Sequence, residues 1–322
     1  MSVLITGVAG FIGSQVARAL LARGEAVLGI DNFSAYYDPV LKFARLKPLR
    51  ENPGFTFLEI DIADREAMLA LAQRQPDIDR IVHLAAQPGV RHSKVDPYIY
   101  VQTNVMGHLV VLELARGLPG LRHLVYASSS SVYGGNRKLP FATVDRVDHP
   151  VSLYAATKRA DELMTEAYVH LHKLKATGLR YFTVYGPWGR PDMSPYIFAK
   201  AIHDGETIEL YHLGFVKRDY SYIDDIVAGT LAVLGRPPAE PGHRLYNLGA
   251  ARSEDIMHVI ALFEKALGRK AVIKLKPGEP DDMQETAADI TDATRDFGWT
   301  PKVTVEEGVP LFVDWFKSYN RL

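Results

Sequence analysis

Short apolar runs alternate with longer amphipathic stretches through the first half of the chain. The runs have the length of buried strands, and the stretches between them repeat apolar residues at helical spacing. The predicted strands are Val3–Ile5, Ala26–Ile30, Phe55–Ile60, Arg80–Leu84, Leu121–Ala127 and Ala176–Phe182. The predicted helices are Phe11–Arg23, Arg65–Gln73, Pro97–Arg116 and Ser152–Leu174. Because parallel strands need crossover helices, this alternation predicts an α/β fold with a doubly wound parallel sheet.

The regular alternation ends after Thr183, where a turn-rich passage rich in glycine and proline spans 186–191. Shorter elements follow, separated by loops at 236–242 and 276–282. We therefore expect a larger domain of residues 1–182, to which 219–249 return. Residues 183–218 and 250–322 are expected to form a smaller, discontinuous C-terminal lobe.

Composition excludes several classes of protein. The chain has 322 residues, and the 47% that are hydrophobic suffice for a sizeable core. Its formal net charge of -1 predicts no nucleic-acid partner. It contains no cysteine, so there are no disulfides, and its 11 histidines have no metal-ligand spacing, so no metal is expected. Its apolar runs are shorter than the roughly 20 residues that cross a membrane. The first strand begins almost at Met1, which predicts a cytoplasmic protein without a signal peptide.

A glycine-rich turn follows the first predicted strand and opens the first helix. Gly7, Gly10 and Gly13 are spaced Gly-x-x-Gly-x-x-Gly. Such a turn lets backbone N–H groups approach a pyrophosphate at the positive end of the helix. The next strand ends in Asp31, whose carboxylate can accept hydrogen bonds from an adenosine ribose and would repel a 2′-phosphate. The turn therefore predicts a Rossmann domain that binds NAD rather than NADP.

A tyrosine and a lysine lie four residues apart at the start of a predicted helix. Tyr154 and Lys158 share a helix face, so the ammonium can favour the ionised phenol. This matters because a free tyrosine has a pKa near ~10 and is a poor base at neutral pH. A serine run, 128–131, follows one predicted strand, and 85–87 follow another. Ligands of open α/β sheets bind at these carboxyl ends, so we expect a catalytic site there.

These motifs together resemble one protein family. The resemblance runs through residues 7–13, 61–62, 83–86, 104, 128–134, 154–158, 180–187 and 218–220. In this order, they are similar to the extended short-chain dehydrogenase/reductases of the nucleotide-sugar epimerase and dehydratase group. Residues 31–33, 36–39, 87–91 and 188–193 resemble UDP-glucuronate 4-epimerases most closely.

The resemblance implies a reaction and a set of cofactor contacts. Tyr154 would take the proton of the sugar 4-hydroxyl, Ser129 would hydrogen-bond O4, and Lys158 would hold the nicotinamide ribose. A 4-keto sugar would form, rotate about its diphosphate linkage, and be reduced on its opposite face. The implied NAD-binding residues are Gly7, Gly10, Phe11, Ile12, Gly13, Asp31, Asn32, Asp61, Ile62, Leu84, Ala85, Ala86, Asn104, Tyr154, Lys158 and Tyr181.

Substrate contacts are implied in the same way. A 4-keto uronic acid loses carbon dioxide readily, so an epimerase has to hold the carboxylate out of line with the carbonyl. Thr183, Ser130 and Arg190 are the candidates for this role, with Arg91 as a second cation and pairing of Arg190 with Asp192 as the competing interpretation. The resemblance further places Arg218 on the diphosphate, Tyr211 near the uracil and Asp282 near the uridine ribose. The sequences of segments 212–217 and 276–282 depart from the pattern that is usual in the family.

Other functions remain open at this point. Related dehydratases carry an Asp-Glu pair where this chain has Ser130 and Ser131, so a dehydratase is disfavoured. A 4-epimerase of a neutral or acetamido UDP-sugar, a UDP-glucuronate decarboxylase, and an NAD-binding sensor or scaffold are the alternatives. The resemblance also implies a homodimer formed through helices 97–116 and 152–174, although the stripe of Val105, Leu109 and Leu112 could equally cover the sheet.

Overall fold

The computed structural model describes residues 1–278 and 283–322. The strands are β1 Ser2–Thr6, β2 Val27–Asp31, β3 Phe55–Glu59, β4 Ile78–His83, β5 His123–Ser129, β6 Lys175–Tyr181, β7 Thr183–Tyr185, β8 Thr207–Leu210, β9 Lys217–Arg218, β10 Tyr220–Tyr222, β11 Gly242–Leu248, β12 Glu254–Asp255 and β13 Val272–Leu275. The helices are α1 Phe11–Ala22, α2 Val40–Arg50, α3 Arg65–Arg74, α4 Pro97–Tyr100, α5 Gly107–Arg116, α6 Leu153–His172, α7 Ser194–Asp204, α8 Ile223–Leu234, α9 Ile256–Leu267, α10 Thr291–Phe297 and α11 Val305–Asn320.

The main sheet has seven strands in the order β11-β6-β5-β4-β1-β2-β3. Strand β1 pairs in parallel with β2 on one side and with β4 on the other. The strand order therefore reverses at β1 and β4, which is where open α/β sheets bind dinucleotides. Apolar side chains of β1, β4, α3 and α5, including Leu4, Ile81, Met68 and Leu112, form the core beneath this edge. The predicted fold class is confirmed.

Contacts divide the chain into two compact units. The first unit contains 1–134, 146–180 and 227–246, and the second contains 135–145, 181–226 and 247–322. The second unit is the smaller and is discontinuous in sequence. The assignment of one unit to the cofactor and of the other to the substrate stays a prediction.

The second unit is built around a buried carboxylate. Asp219 accepts hydrogen bonds from the backbone N–H of Ala250 at 2.6 Å and of Ala288 at 3.0 Å, and from the Ser221 hydroxyl at 2.9 Å. Burial raises the pKa of Asp219 to about 6, although these donors act in the opposite direction. The side chain thus joins β10 to the segments that follow β11 and precede α10, and it fixes the backbone next to Arg218.

Two local elements differ from the sequence-based expectation. The predicted helix at 97–116 is interrupted, because Val101–Met106 forms a π-helical turn between α4 and α5. Helix α2 was not predicted, since Pro48 lies inside it and its charged residues obscure the apolar face. Helix α6 begins as expected, because the Ser152 hydroxyl caps it by accepting from the Ala155 N–H at 3.1 Å.

Candidate active site

The glycine turn has the geometry that a pyrophosphate requires. Gly7 has a φ of +70°, and a Cβ there would lie 2.7 Å from the Ala85 nitrogen. A Cβ on Gly10 would lie 2.9 Å from the Gly7 carbonyl oxygen, and one on Gly13 would overlap that same oxygen. Helix α1 begins at Phe11 with Gly10 at its N-cap, so the first N–H groups of the helix point out of the turn. Phe11, Ile12 and the three glycines therefore fit the phosphates of a dinucleotide.

Asp31 is held rigidly at the end of β2. Its carboxylate accepts from the N–H of Ala9 at 3.1 Å and of Phe33 at 2.9 Å, and it lies 3.6 Å from the Lys42 ammonium. Burial lowers the pKa of Lys42, while the negative charge of Asp31 opposes that shift. Asn32 projects from the following residue and donates to Asp61 at 2.8 Å. The structure thus brings Asp31, Asn32 and Asp61, which are all predicted to bind the cofactor, to one edge of the sheet.

Asn104 connects the segment after β4 to the helix that carries Tyr154. Its side-chain oxygen accepts from the Gln87 N–H at 2.7 Å, and its amide donates to the Gln87 carbonyl at 3.1 Å and to Thr157 at 3.0 Å. The Thr6 hydroxyl fixes the start of the same segment by accepting from the N–H groups of Leu84 and Ala85. Ala86 follows in the same segment, and Ile62 is buried against Gly107 in the first turn of α5. This network positions the loop next to the glycine turn.

Lys158 is buried on α6 and points to the end of β5. Its ammonium donates to the Ala127 carbonyl at 3.0 Å and to the Asp161 carboxylate at 3.0 Å. Tyr154 lies one turn earlier, half-buried, with its ring centroid 6.2 Å from that of Tyr100 in an edge-on contact. The predicted tyrosine and lysine therefore occupy one face of one helix, beside the strand end that carries the serines.

The serine run occupies the turn that follows β5. Ser129 is the last residue of the strand, and its hydroxyl accepts from the Ser131 N–H at 3.2 Å. Ser130 begins the short helical turn Ser130–Tyr133. Ser128 points the other way and donates to Glu162 at 2.7 Å. Because alternate residues of a strand face opposite sides, Ser128 anchors the strand end while Ser129 faces away from that anchor.

Sequence reasoning missed the buried ion pair behind this turn. Arg180 donates to Glu162 through Nε at 2.8 Å and through Nη2 at 2.9 Å, and its guanidinium lies 4.9 Å from the Tyr133 ring centroid. Burial acts to raise the pKa of Glu162, but Arg180 and Ser128 outweigh burial and keep it below its ordinary value. One signal was present in the sequence, because Glu162 follows Tyr154 and Lys158 with the same four-residue spacing.

The other predicted substrate residues are distributed along the chain. Thr183, Arg190, Tyr211 and Arg218 belong to the second unit, as does Tyr181, which ends β6. Arg91 opens a short helical turn in the first unit, Arg91–Lys94. Asp282 lies outside the described residues.

Two of these residues have clear local partners. Arg190 is paired with Asp192 through two hydrogen bonds. This pairing is the alternative to a role in binding the substrate carboxylate. Arg218 donates to the Lys217 carbonyl at 3.0 Å and to the Gln284 carbonyl at 3.1 Å. The Nε and one Nη2 donor of Arg190 are therefore engaged by Asp192, and a substrate carboxylate that took the same two donors would have to replace that of Asp192.

His83 is buried beneath the glycine turn, where its ring nitrogen lies 2.7 Å from the Thr6 hydroxyl and burial lowers its pKa to about 3. Across residues 1–278 and 283–322, no group of three or more His, Cys, Asp or Glu is arranged to hold a metal ion. Within the same residues, no helix is long and apolar enough to cross a membrane.

Comparison with known proteins identifies the family. The chain belongs to the NAD dependent epimerase/dehydratase family, whose sequence model matches residues 3–249, and the predicted family is thereby confirmed.

Individual relatives are similar over the full length. An uncharacterized 37.6 kDa protein of Escherichia coli O111:H- is 45% identical over 100% of both chains. A probable UDP-glucuronate 4-epimerase of Rhizobium meliloti is 41% identical over 100% of this chain and 98% of its own. The crystal structure of UDP-glucuronic acid 4-epimerase from Bacillus cereus, in complex with UDP-glucuronic acid and NAD, has a TM-score of 0.92 at 33% identity and covers 99% of this chain and 100% of that one.

Proposed function

We propose that this protein is an NAD-dependent UDP-glucuronate 4-epimerase, which interconverts UDP-glucuronic acid and UDP-galacturonic acid. The observation that carries the proposal is the placement of Tyr154, Lys158 and Ser129 around the end of β5, in a chain similar over its whole length to enzymes of that name. NAD, when bound, accepts hydrogen from C4 of the sugar and later returns it. Net oxidation is therefore zero.

The chain's own residues move and hold the proton. Tyr154, as phenolate, takes the proton of the 4-hydroxyl, and the resulting phenol gives it back when the 4-keto sugar is reduced. Ser129 hydrogen-bonds O4 through its hydroxyl. Lys158 supplies the positive charge that favours the phenolate, and its third N–H is available to the nicotinamide ribose, since an ammonium has three donors and Ala127 and Asp161 take two.

The cofactor and substrate contacts follow the family resemblance. For the cofactor, we propose the glycine turn, Asp31, Asn32, Asp61, Ile62, the segment 84–86, Asn104 and Tyr181. For the substrate, we propose Arg218, Tyr211 and Asp282 on the UDP part. Asp282 lies outside the described residues.

The sugar carboxylate needs its own contacts, because a 4-keto uronic acid decarboxylates when its carboxyl bond aligns with the carbonyl. We propose that Thr183, Ser130 and Arg190 hold it out of line, with Arg91 as a second cation. Two hydrogen bonds already join Arg190 to Asp192, which shows that its fork can hold a carboxylate side-on. A substrate carboxylate would replace Asp192 in the same geometry.

The direct test is incubation of the purified protein with UDP-glucuronic acid, followed by proton NMR of the sugar. We expect UDP-galacturonic acid to accumulate without release of carbon dioxide and without consumption of added NAD. Parallel incubations with UDP-glucose and UDP-N-acetylglucosamine test the alternative that the enzyme epimerises neutral or acetamido sugars. Formation of a UDP-pentose with carbon dioxide would identify a decarboxylase, and bound NAD with no turnover of any UDP-sugar would leave a sensor or scaffold.

Cofactor choice gives a first mutational prediction. Asp31→Ser removes the charge that would repel a 2′-phosphate and leaves the Lys42 ammonium without its carboxylate, 3.6 Å away. We expect the ratio of bound NADP to bound NAD to rise about tenfold or more, since one close charge changes an equilibrium constant by about a factor of ten or more. The nucleotides released from the denatured protein are quantified by chromatography. Asp38→Ser, which removes an exposed carboxylate seven residues later, is the matched control and should leave the ratio unchanged.

The proposal also includes a homodimer and a cytoplasmic location. Tyr98 and Val101 on the segment before α5, and Leu163 and Leu171 on α6, are exposed apolar side chains, whereas Leu112 lies in the core. The exposed side chains are available to a second copy, whereas Leu112 is not. Light scattering in solution tests the homodimer, because a molar mass equal to that of one chain would exclude it. Fractionation of the source cells tests the location.

A further inference from the structure

Two neighbouring carboxylates on α6 are both buried, but their partners differ. Glu162 accepts hydrogen bonds from Arg180 and Ser128, so both of its oxygens are satisfied. Asp161 has a fully buried side chain, and its Oδ2 lies 3.0 Å from the Lys158 ammonium. Its Oδ1 has no hydrogen-bond partner in the part of the chain that the structure describes. A carboxylate with a purely structural role would be expected to resemble Glu162.

The pair of Asp161 and Lys158 is nearly inaccessible to water. The exposed fractions of the two side chains are 0% and 4%. Charges in such surroundings act on one another far more strongly than in water. Asp161 therefore offsets much of the positive charge that Lys158 presents to its neighbours, including Tyr154 one turn earlier.

The other titratable groups around this pair are neutral or already paired. Burial lowers the pKa of His108 on α5 well below its ordinary value, and it lowers that of His83 on β4 to about 3. Burial raises the pKa of Tyr126 on β5 well above its ordinary value. Glu162 is paired with Arg180. Asp161 differs from these groups, because burial raises its pKa to about 6 against the opposing effect of Lys158, so its charge can change near neutral pH.

We propose that Asp161 is a positioning residue that balances the charge of Lys158. It thereby limits how strongly the ammonium favours the phenolate form of Tyr154. It also limits how strongly the ammonium favours the reduced, uncharged nicotinamide over the oxidised, cationic one. The inference rests on the proposed roles of Tyr154 and Lys158. With Asp161 ionised, it and Lys158 sum to zero charge. Without it, one positive charge remains in a dry site.

The balance matters because the same cofactor has to oxidise and then reduce one carbon. A surplus positive charge stabilises the phenolate, which has to take up a proton in the first half, and the reduced nicotinamide, which has to return hydride in the second half. Each would then be a weaker reagent in its own step, and Asp161 limits this effect.

The test compares Asp161→Asn with the wild-type protein. The whole NAD-loaded protein is equilibrated with mixtures of NAD⁺ and NADH, without sugar, and the bound nucleotides are quantified. We expect the preference for NADH to increase about tenfold in Asp161→Asn, which corresponds to one close charge. In protein labelled with carbon-13 at the tyrosine ζ position, the Tyr154 resonance, assigned by its loss in Tyr154→Phe, should titrate about one pH unit lower.

Two controls separate charge from structure. Asp161→Glu restores the charge and should recover the wild-type nucleotide preference. Glu166→Gln removes a carboxylate from the same helix that is 67% exposed and paired with His243, and it should change neither readout. A folded Asp161→Asn protein with wild-type preference and titration would overturn the proposal.

The wild-type protein provides a second measurement that needs no variant to fold. Because burial raises the pKa of Asp161 to about 6, we expect its negative charge to be lost as the pH falls from 7.5 to 5. The preference for NADH over NAD⁺ should therefore rise across this interval, and a constant preference would refute the role of Asp161. These measurements use no sugar, so a failure to turn over UDP-glucuronic acid would refute the proposed function without deciding this question.

Discussion

Tyr154→Phe should reduce kcat for epimerisation by about 10³-fold while the protein stays folded and NAD-loaded. The substitution removes only the phenol oxygen, and the ring keeps its edge contact with Tyr100 at 6.2 Å. Without the oxygen, no group on this face of α6 can take the proton of the 4-hydroxyl, and positioned general bases contribute about 10²–10⁴-fold. The rate is measured by NMR of the UDP-sugars, and nucleotide content and thermal unfolding are measured on the same samples.

Tyr168→Phe is the matched control for this experiment. Tyr168 also lies on α6, and its hydroxyl donates to Glu113 at 2.7 Å, away from the serine run. We expect kcat to be unchanged in this variant. If Tyr154→Phe retained more than about a tenth of the wild-type rate, another group would have to be the base, and the assignment of Tyr154 would be wrong.

The sequence predicted the sheet and the reactive pair because both follow from local rules. Apolar runs define the strands, and the glycine spacing fixes the turn before α1. Tyr154 and Lys158 need only helical periodicity to share a face. The sequence also placed the serines at a strand end, where the structure has Ser129. For this edge of the sheet, local pattern and tertiary arrangement agree.

The partners of the reactive pair could not be predicted in the same way. Arg180 reaches Glu162 across 18 residues of sequence, from a strand to a helix, and no periodic pattern relates them. The roles of Asp161 and Glu162 also differ only because one of the two faces Lys158 and the other faces Arg180. The sequence offered the pairing of Arg190 with Asp192 as one of two interpretations, and the choice between them depends on a turn whose geometry the sequence does not specify. Each case requires packing, which single-residue patterns do not encode.

The ion pair of Arg180 and Glu162 explains how the serine turn is held. Glu162 accepts from the Ser128 hydroxyl at 2.7 Å with the same oxygen that Arg180 Nε contacts. The guanidinium is 1% exposed and the carboxylate fully buried, so neither group can turn to water. Ser128 immediately precedes Ser129, so disorder at this ion pair would be transmitted to the Ser129 hydroxyl, which is proposed to bind O4 of the substrate. Stability and activity are therefore coupled at this point of the fold.

Arg180→Met should consequently lower the free energy of unfolding by about 3 kcal/mol, because the buried Glu162 carboxylate keeps only the Ser128 hydroxyl and the partly exposed Arg159 guanidinium as partners. Urea denaturation measures the loss. Arg180→Met combined with Glu162→Gln should lose less than the single variant, since no charge is then stranded. Arg116→Met, which breaks a pair whose arginine is 50% exposed, should have little effect.

The loss caused by Arg180→Met should also depend on pH. In the wild-type protein, Arg180 helps to keep the pKa of Glu162 below its ordinary value, so the pair is stabilising above the pKa of a free glutamate and loses this contribution as the pH falls. In the variant, only Ser128 and Arg159 oppose the effect of burial, so the pKa of Glu162 is higher than in the wild-type protein and the side chain takes up a proton more readily. The difference in stability between the two proteins should therefore shrink as the pH is lowered from 7 towards 4. An equal loss at both pH values would mean that lost packing of the arginine, and not the stranded carboxylate, is the cause.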